Sequence, residues 1–364
     1  MKIKNINLVN FRNMARLDWT PDLRLNVIIG DNAQGKTSIL ESIYLAVYLK
    51  SFRSARNENL IQYNKRTAVI NINLRSFDID RIIKVIIRKE RKEVHLNDKK
   101  PDSYQDFFSG LSPVLFSPEE LQLIGGAPGG RRTFLDRAVF QGNRSFIQAS
   151  IEYARHLRQR NKLLKEGRTS DEIYPWTLGL IRTGIIIRAE RIHYLERLNP
   201  FFMEVFRLVT DNRESAEIEY PFKDRNIIFL ENESFKEFER SREREIIWKQ
   251  TLVGPHRDDP VFMINGKPLR QYASQGQQRS FILAFKIAQI IELEQRTGEI
   301  PVLLLDDLTS ELDQKRQKFF LDFIQQRSGQ VFITTTDVDP LIRRGLTEGS
   351  FYAIEGGVMR SVAN

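Results

Sequence analysis

Gly30-Asp31-Asn32-Ala33-Gln34-Gly35-Lys36-Thr37 is the stretch on which the reading of this sequence turns. Before it, Arg24-Leu25-Asn26-Val27-Ile28-Ile29 reads as a strand. After it, Ile39, Leu40, Ile43, Ala46 and Val47 fall at helix spacing. Strand, glycine loop and helix in that order are the context a phosphate-binding loop requires. The glycines let backbone N–H groups wrap phosphate oxygens, and the helix start adds partial positive charge. Gly30, Asn32, Ala33, Gln34, Gly35 and Ser38 are therefore expected around the phosphates. Lys36 is placed to reach the β- and γ-phosphates, and Thr37 to offer its hydroxyl to Mg²⁺. The expected cofactors are ATP and Mg²⁺.

The matching half of such a site lies near the other end of the chain. Pro301-Val302-Leu303-Leu304-Leu305-Asp306-Asp307 reads as a buried strand ending in two carboxylates. In a doubly wound sheet, ligands bind at the C-terminal ends of the strands. Asp306 is the expected Mg²⁺ carboxylate, and Asp307 the candidate for positioning the attacking water. Upstream, Ser274-Gln275-Gly276-Gln277-Gln278 opens a further helix. A serine hydroxyl, a glycine amide and a helix start together form a second anion site, although such residues are also ordinary caps. One nucleotide does not need two such starts from one molecule. Ser274, Gly276 and Gln277 are therefore expected to face the γ-phosphate held by a second copy of the chain. Ser310-Glu311-Leu312-Asp313 reads either as a segment crossing that interface or as the cap of the next helix. Arg12, in Asn10-Phe11-Arg12-Asn13, is a candidate contact for the adenine or its ribose-phosphate.

Composition narrows the function classes. The chain has 364 residues, 41% of them hydrophobic and 28% charged, which is ordinary for a globular protein. Its net charge of +9 favours an anionic partner, of which nucleic acid is the commonest. Candidate nucleic-acid contacts are Arg53, Arg56, the Arg88–Lys92 turn, Arg131, Arg132, Arg155, Arg158 and Arg160. With no cysteine, disulfides, thiolate metal sites and cysteine nucleophiles are excluded, and a cytoplasmic location is expected. No apolar run approaches the ~18 residues of a membrane span, so no membrane association is expected.

Between about 68 and 97 the pattern is β, with Glu90-Arg91-Lys92 as a hairpin turn. From Arg131 to about Gln250 it becomes helical and charged. Ile147, Ile151, Ala154, Leu157, Asn161 and Leu164 suggest one face of a helix. A second helix, Trp176 to Leu198, is expected to stop at Asn199-Pro200, because proline disfavours helix just before itself. Asn265-Gly266 signals a hairpin. A helix is expected from about Gln277 to Arg296 with Gly298 as its stop. A helix from Asp313 and a last strand near Gln330–Thr335 follow. The expected organisation is an N-terminal part of an ATPase lobe (1–118), an inserted helical lobe (119–250) and a C-terminal part (251–364).

Taken together the motifs resemble the RecF family, the compact branch of the ATPases that includes the structural-maintenance and Rad50-type proteins. The resemblance rests on the segments at Asn10 and Gly30, on Phe116-Ser117-Pro118-Glu119, and on Pro128-Gly129-Gly130-Arg131-Arg132-Thr133-Phe134-Leu135-Asp136. It continues in Gly254-Pro255-His256-Arg257-Asp258-Asp259, the Ser274 segment, and Leu304-Leu305-Asp306-Asp307-Leu308-Thr309-Ser310-Glu311-Leu312-Asp313. It implies an α/β ABC-type ATPase head, with mixed sheets, a P-loop helix and an inserted helical lobe. It further implies a head that dimerises on ATP, clamps DNA and hydrolyses ATP slowly. The implied place of action is single-strand gaps and stalled forks, where RecR and RecO help RecA replace single-strand-binding protein (SSB). Two departures bear on rate. Asp307 stands where many relatives carry glutamate. Thr334-Thr335-Thr336-Asp337 stands where transporter-type relatives carry a switch histidine, leaving Thr336 to orient the γ-phosphate without imidazolium charge. Ser117–Glu119 is the candidate replacement for the lid-loop glutamine. His256-Arg257-Asp258-Asp259 is expected at an interface or hinge rather than a metal site. A transporter-type ATPase subunit acting with a membrane partner is the alternative reading, and an architectural DNA-binding protein a third.

Overall fold

The computed structural model describes residues 1–53, 56–101, 107, 113–141, 143–307, 312–327, 329–342 and 349–362. Its strands are β1 (Lys2–Phe11), β2 (Met14–Trp19), β3 (Leu25–Ile29), β4 (Thr67–Ser76), β5 (Ile79–Arg88), β6 (Lys92–Leu96) and β7 (Val114–Phe116). They continue as β8 (Ala216–Glu219), β9 (Val261–Ile264), β10 (Lys267–Pro268), β11 (Leu303–Leu305), β12 (Val331–Thr335), β13 (Ser350–Glu355) and β14 (Val358–Val362). The chain divides into two compact units, one of residues 1–120 with 289–364 and the other of residues 121–288. The division falls two residues past the expected boundary at 118. Residues 251–288, expected with the ATPase lobe, belong instead to the second unit. The reason is pairing and packing: β9 adds antiparallel to β8, and Phe281 and Phe285 lock against Phe134 and Phe202.

The first unit holds two sheets. One is antiparallel, in the order β2-β1-β4-β5-β6; the other has the order β14-β13-β3-β12-β11-β7. In the second sheet β13, β3, β12, β11 and β7 run parallel, with only β14 antiparallel at the edge. Parallel strands need both faces covered, and the Leu303–Leu305 and Val331–Thr335 runs are buried throughout. The Lys36–Tyr48 helix supplies part of that cover. It touches β4 and β5 of one sheet and β12 of the other, and only Thr37 among its residues is not buried. A helix apolar nearly all round is a core helix. Trp19 of β2 makes edge contacts with Phe332 of β12 and Tyr352 of β13, at 5.6 and 5.0 Å between ring centres.

The parallel order puts the C-terminal ends of β3, β12 and β11 side by side, which brings the two distant motifs together. β13 was not anticipated. It pairs with β3, and a Cβ on Gly30 would lie 2.5 Å from the Ile354 carbonyl oxygen. The first loop glycine is thus required by the close approach of a strand from the far end of the chain.

In the second unit the helix Ser170–Val209 runs straight through Pro175 and Pro200, although a stop was expected before Pro200. An interior proline removes one helix hydrogen bond and costs about 3 kcal/mol. Here Leu198, Phe202 and Phe206 are fully buried on either side of it, so packing carries the helix across. On the helix Arg144–Glu166 the buried stripe is Phe146, Ala149, Tyr153, Arg160 and Leu164, with Ile147; Ile151 and Ala154 face outward, contrary to expectation. The Asn265-Gly266 turn joins β9 to β10 as expected, both residues having positive φ.

Four buried arginines organise this unit. Arg188 is held by Asp258, at 3.0 and 2.7 Å, and by Glu237 at 2.8 Å. Arg191 chelates Asp136 at 2.8 and 2.9 Å and donates to the Pro255 carbonyl. Arg131 chelates Asp259, and Arg160 pairs with Glu245 at 2.6 Å. Arg131 and Arg160 are therefore internal cations, not DNA contacts. The Asp258-Asp259 pair anchors buried guanidiniums. Arg155 and Arg158 do face solvent.

His256 lies in this network, with its Nδ1 2.6 Å from the Tyr153 hydroxyl and its Nε2 3.3 Å from the Thr251 carbonyl. Burial, aided by the charges of Arg257 and Arg132 and opposed by Asp258 and the Thr251 contact, lowers its pKa from 6.5 to about 4. The unfolded chain then binds a proton near pH 6.5 that the folded chain refuses until about 4. This contribution to stability is complete above pH 6.5 and is lost as pH falls toward 4, by about 3 kcal/mol. Urea unfolding of wild type and His256→Asn between pH 4 and 7 should show a shallower pH slope for the variant. Equal slopes would rule the assignment out.

Candidate functional site

The site is built at the ends of three neighbouring strands and the start of one helix. After β3 the loop turns through Ala33 at φ 66° and Gly35 at φ 114°, conformations that favour residues without bulk. A Cβ on Gly35 would lie 2.8 Å from the Asn13 side-chain oxygen. The Asn13 amide in turn donates to the Gln34 carbonyl at 2.8 Å, and the Gly356 N–H donates to the Gln34 side chain at 2.6 Å. The loop is thus held from two sides before any ligand arrives.

At the head of the helix Thr37 Oγ1 donates to Asp306 Oδ1 at 2.8 Å. The same carboxylate oxygen accepts from Thr334 Oγ1 at 2.7 Å, and the Asp307 N–H donates to that threonine hydroxyl at 3.0 Å. Burial raises the Asp306 pKa, the two hydroxyls oppose the shift, and nearby Glu119 adds to it. Lys36 Nζ donates to the Gly30 and Asp31 carbonyls at 2.6 and 2.9 Å. Burial lowers its pKa, against the pull of Asp307, Asp306 and Asp31. Asp307 adopts φ 51°, a left-handed conformation of the kind that collects at functional sites.

These groups line a cavity of about 610 Å³ together with Arg12, Asn13, Asp31 to Gly35, Ser38, Arg53, Asn59, Ile61, Gln62 and Tyr63. The volume is within the usual range for a small-molecule site. Arg12, at φ 54°, occupies the β1–β2 turn. It is clamped by buried Glu41 at 2.8 and 2.6 Å, and it donates to the Asn59 carbonyl at 2.5 Å. Its guanidinium is therefore a fixed wall of the cavity. An oxygen donor set of threonine hydroxyl and carboxylate matches the hard-ligand preference of Mg²⁺.

Of the residues expected from sequence, Arg12, Asn32, Ala33, Gln34, Gly35, Lys36, Thr37, Ser38, Asp306 and Asp307 line this cavity, and Gly30 opens its loop. Thr336 does not line it; the residue is exposed beyond β12. The threonine that meets Asp306 is Thr334, which sequence reasoning passed over. Register was the missing signal, since Leu305 pairs with Ile333 and so sets Thr334 opposite Asp306. Ser274, Gly276 and Gln277 belong to the second unit. Ser274 Oγ accepts from the Gln277 N–H at 3.2 Å, and Gln277 Oε1 accepts from the Ser274 N–H at 2.8 Å, a reciprocal cap. Leu308–Glu311 lie outside the described residues, while Asp313 caps the helix Gln314–Gln325 by accepting from the Arg316 N–H.

A family model described as the RecF/RecN/SMC N-terminal domain matches residues 2–344. The DNA replication and repair protein RecF of Syntrophotalea carbinolica is 44% identical, over 98% of both chains. That of Geobacter sp. strain M21 is 39% identical over 94% of this chain and 96% of its own. A solved RecF–ATP structure, described as a recombination mediator of the RecFOR pathway, superposes with a TM-score of 0.88. It is 30% identical, with 99% of each chain covered. The Smc head of Pyrococcus furiosus shares the fold, at a TM-score of 0.58 and 16% identity over 99% of this chain and 96% of its own. Sequence, architecture and the joined loop and carboxylate motifs agree: the chain belongs to the RecF family, with the ATPase-head fold of the RecF/RecN/SMC proteins.

Proposed function

We propose that this chain is an ATP-dependent DNA replication and repair protein whose cavity binds ATP with Mg²⁺. The observation that carries the reading is the 2.8 Å bond between Thr37 and Asp306, which joins the phosphate loop to the carboxylate strand. Mg²⁺, when bound, neutralises phosphate charge, and Thr37 and Asp306 are the residues that would hold it. Lys36 exchanges its loop carbonyls for phosphate oxygens. Thr334 fixes Asp306 and the Asp307 backbone, while Asp307 positions water with a side chain one methylene shorter than glutamate, so turnover is slow. Thr336 lies two residues beyond Thr334, just past the end of β12, and acts, in this reading, on the γ-phosphate only in the closed assembly.

The reading continues to assembly. Two copies associate on ATP, and Ser274, Gly276 and Gln277 of each face the nucleotide of the other, the Ser274 hydroxyl exchanging its cap for the γ-phosphate. The dimer holds DNA at single-strand gaps and works with RecR and RecO to help RecA displace SSB. The names of the relatives, the net charge of +9 and the exposed Arg155 and Arg158 support this part. ATP hydrolysis measured with and without gapped duplex tests it. A rate raised several-fold by DNA, and less so at high salt, is expected. A rate indifferent to DNA would contradict the DNA-dependent reading.

A further inference from the structure

The phosphate loop is gripped by a part of the chain that never reaches the cavity. β13 runs beside β3 as far as the pair Ala353 and Ile29, and the turn Gly356-Gly357 then joins it to β14. At that turn the Gly356 N–H donates to Gln34 Oε1 at 2.6 Å, and the Gly357 N–H to the Gln34 carbonyl at 3.1 Å. The Asn13 amide gives the same carbonyl a second hydrogen bond, at 2.8 Å. A carbonyl oxygen has two lone pairs, so both are taken. Gly357 is buried, and a Cβ on it would lie 2.5 Å from the Asn13 carbonyl oxygen and 3.3 Å from the Met14 Cα. Yet none of residues 350–362 lines the cavity.

A trans peptide unit holds its C=O and N–H pointing in opposite directions. The Gln34–Gly35 peptide is trans, so tying its carbonyl to the hairpin turns the Gly35 N–H away from the hairpin. Gln34, Gly35 and Lys36 all line the cavity. We propose that the Gly356-Gly357 turn is a positioning element: it aims the Gly35 N–H at phosphate, and the loop binds its anion at full strength only while the β13–β14 hairpin is docked. This rests on the nucleotide reading above and adds to it a support from the far end of the chain. Such coupling is reciprocal, so a ligand that needs the aligned loop also holds the hairpin in place.

Inorganic tripolyphosphate with Mg²⁺ is the test ligand, because it needs only the phosphate end of the site. Hydrogen exchange at the Gly356 and Gly357 amides of wild type should slow about threefold or more when it saturates the protein. A hairpin that is only scaffold would exchange alike with and without it, and that result overturns the proposal. A second arm compares two asparagine variants, since asparagine tolerates the left-handed backbone of both glycines, at φ 54° and 81°. Gly357→Asn drives its Cβ into Asn13 and lifts the turn off the loop, whereas a Cβ on Gly356 meets no atom within 4 Å. Calorimetry should show Gly357→Asn binding tripolyphosphate about tenfold more weakly, the loss expected for one misdirected charged hydrogen bond, and Gly356→Asn a smaller effect. Equal affinities in the two variants would also overturn the proposal. Wild type that binds neither tripolyphosphate nor ATP would instead overturn the nucleotide reading itself.

Discussion

Lys36→Met is expected to weaken ATP binding about 100-fold or more, with ATP-driven association lost alongside. A charged hydrogen bond to phosphate is worth about 1.5–3 kcal/mol, and in the proposed site Lys36 would bond two phosphates, so tenfold per 1.4 kcal/mol gives at least that factor. Burial lowers the lysine pKa against the pull of Asp307, Asp306 and Asp31, and the ammonium's hydrogen-bond partners in the fold are the Gly30 and Asp31 carbonyls of the loop itself. Methionine fills the stem, and the backbone of the loop, held by Asn13 and Gly356, keeps its course. Calorimetry with ATP and circular dichroism on the same samples separate the effects. Unchanged melting with lost binding is predicted; affinity within about threefold of wild type would remove Lys36 from the site.

Arg188→Ala is expected to destabilise the second unit by about 3–5 kcal/mol, the usual cost of removing one partner from a buried ion pair. Arg188 is 1% exposed, and its guanidinium also contacts Ser234 at 3.1 Å and lies 4.2 Å from the Phe222 ring centre. Alanine leaves Asp258 buried with the Tyr220 hydroxyl at 2.5 Å, and with Arg191 no nearer than 3.9 Å. Asp258 has its pKa depressed mainly by Arg188, against a strong opposing effect of burial. Without the arginine, burial dominates and the carboxyl takes up a proton. Urea unfolding should show the loss, and replacing Asp258 by asparagine in the same chain should recover part of it. A loss below about 1 kcal/mol would mean that the arginine is not a structural anchor.

Sequence read the first unit well because its signals are local. The glycine loop, the Leu-Leu-Leu-Asp-Asp strand end and the Asp313 cap each carry their meaning in a few adjacent residues. What was illegible depends on pairing between distant segments. Thr334 and Thr336 are indistinguishable in a run of three threonines until β12 is set in register with β11. β13 and β14 carried a hairpin signal in Gly356-Gly357, both at positive φ, but nothing local places β13 beside β3. Arg131 and Arg160 of the second unit read as candidate DNA contacts because their carboxylates lie far along the chain, Asp259 lying 128 residues from Arg131 and Glu245 85 from Arg160. Pro200 was misread for a related reason: the phenylalanines that carry the helix past it act through tertiary packing.

The central claim is that ATP in this cavity joins two copies through Ser274. Sedimentation velocity of wild type and Ser274→Arg, with and without ATP and Mg²⁺, tests it most directly. Ser274 is exposed, and losing its cap costs only about 1 kcal/mol, so the variant should stay folded and bind ATP as wild type does. The account predicts that ATP converts wild type to a dimer and leaves Ser274→Arg monomeric. A variant that dimerises with ATP as fully as wild type would contradict it.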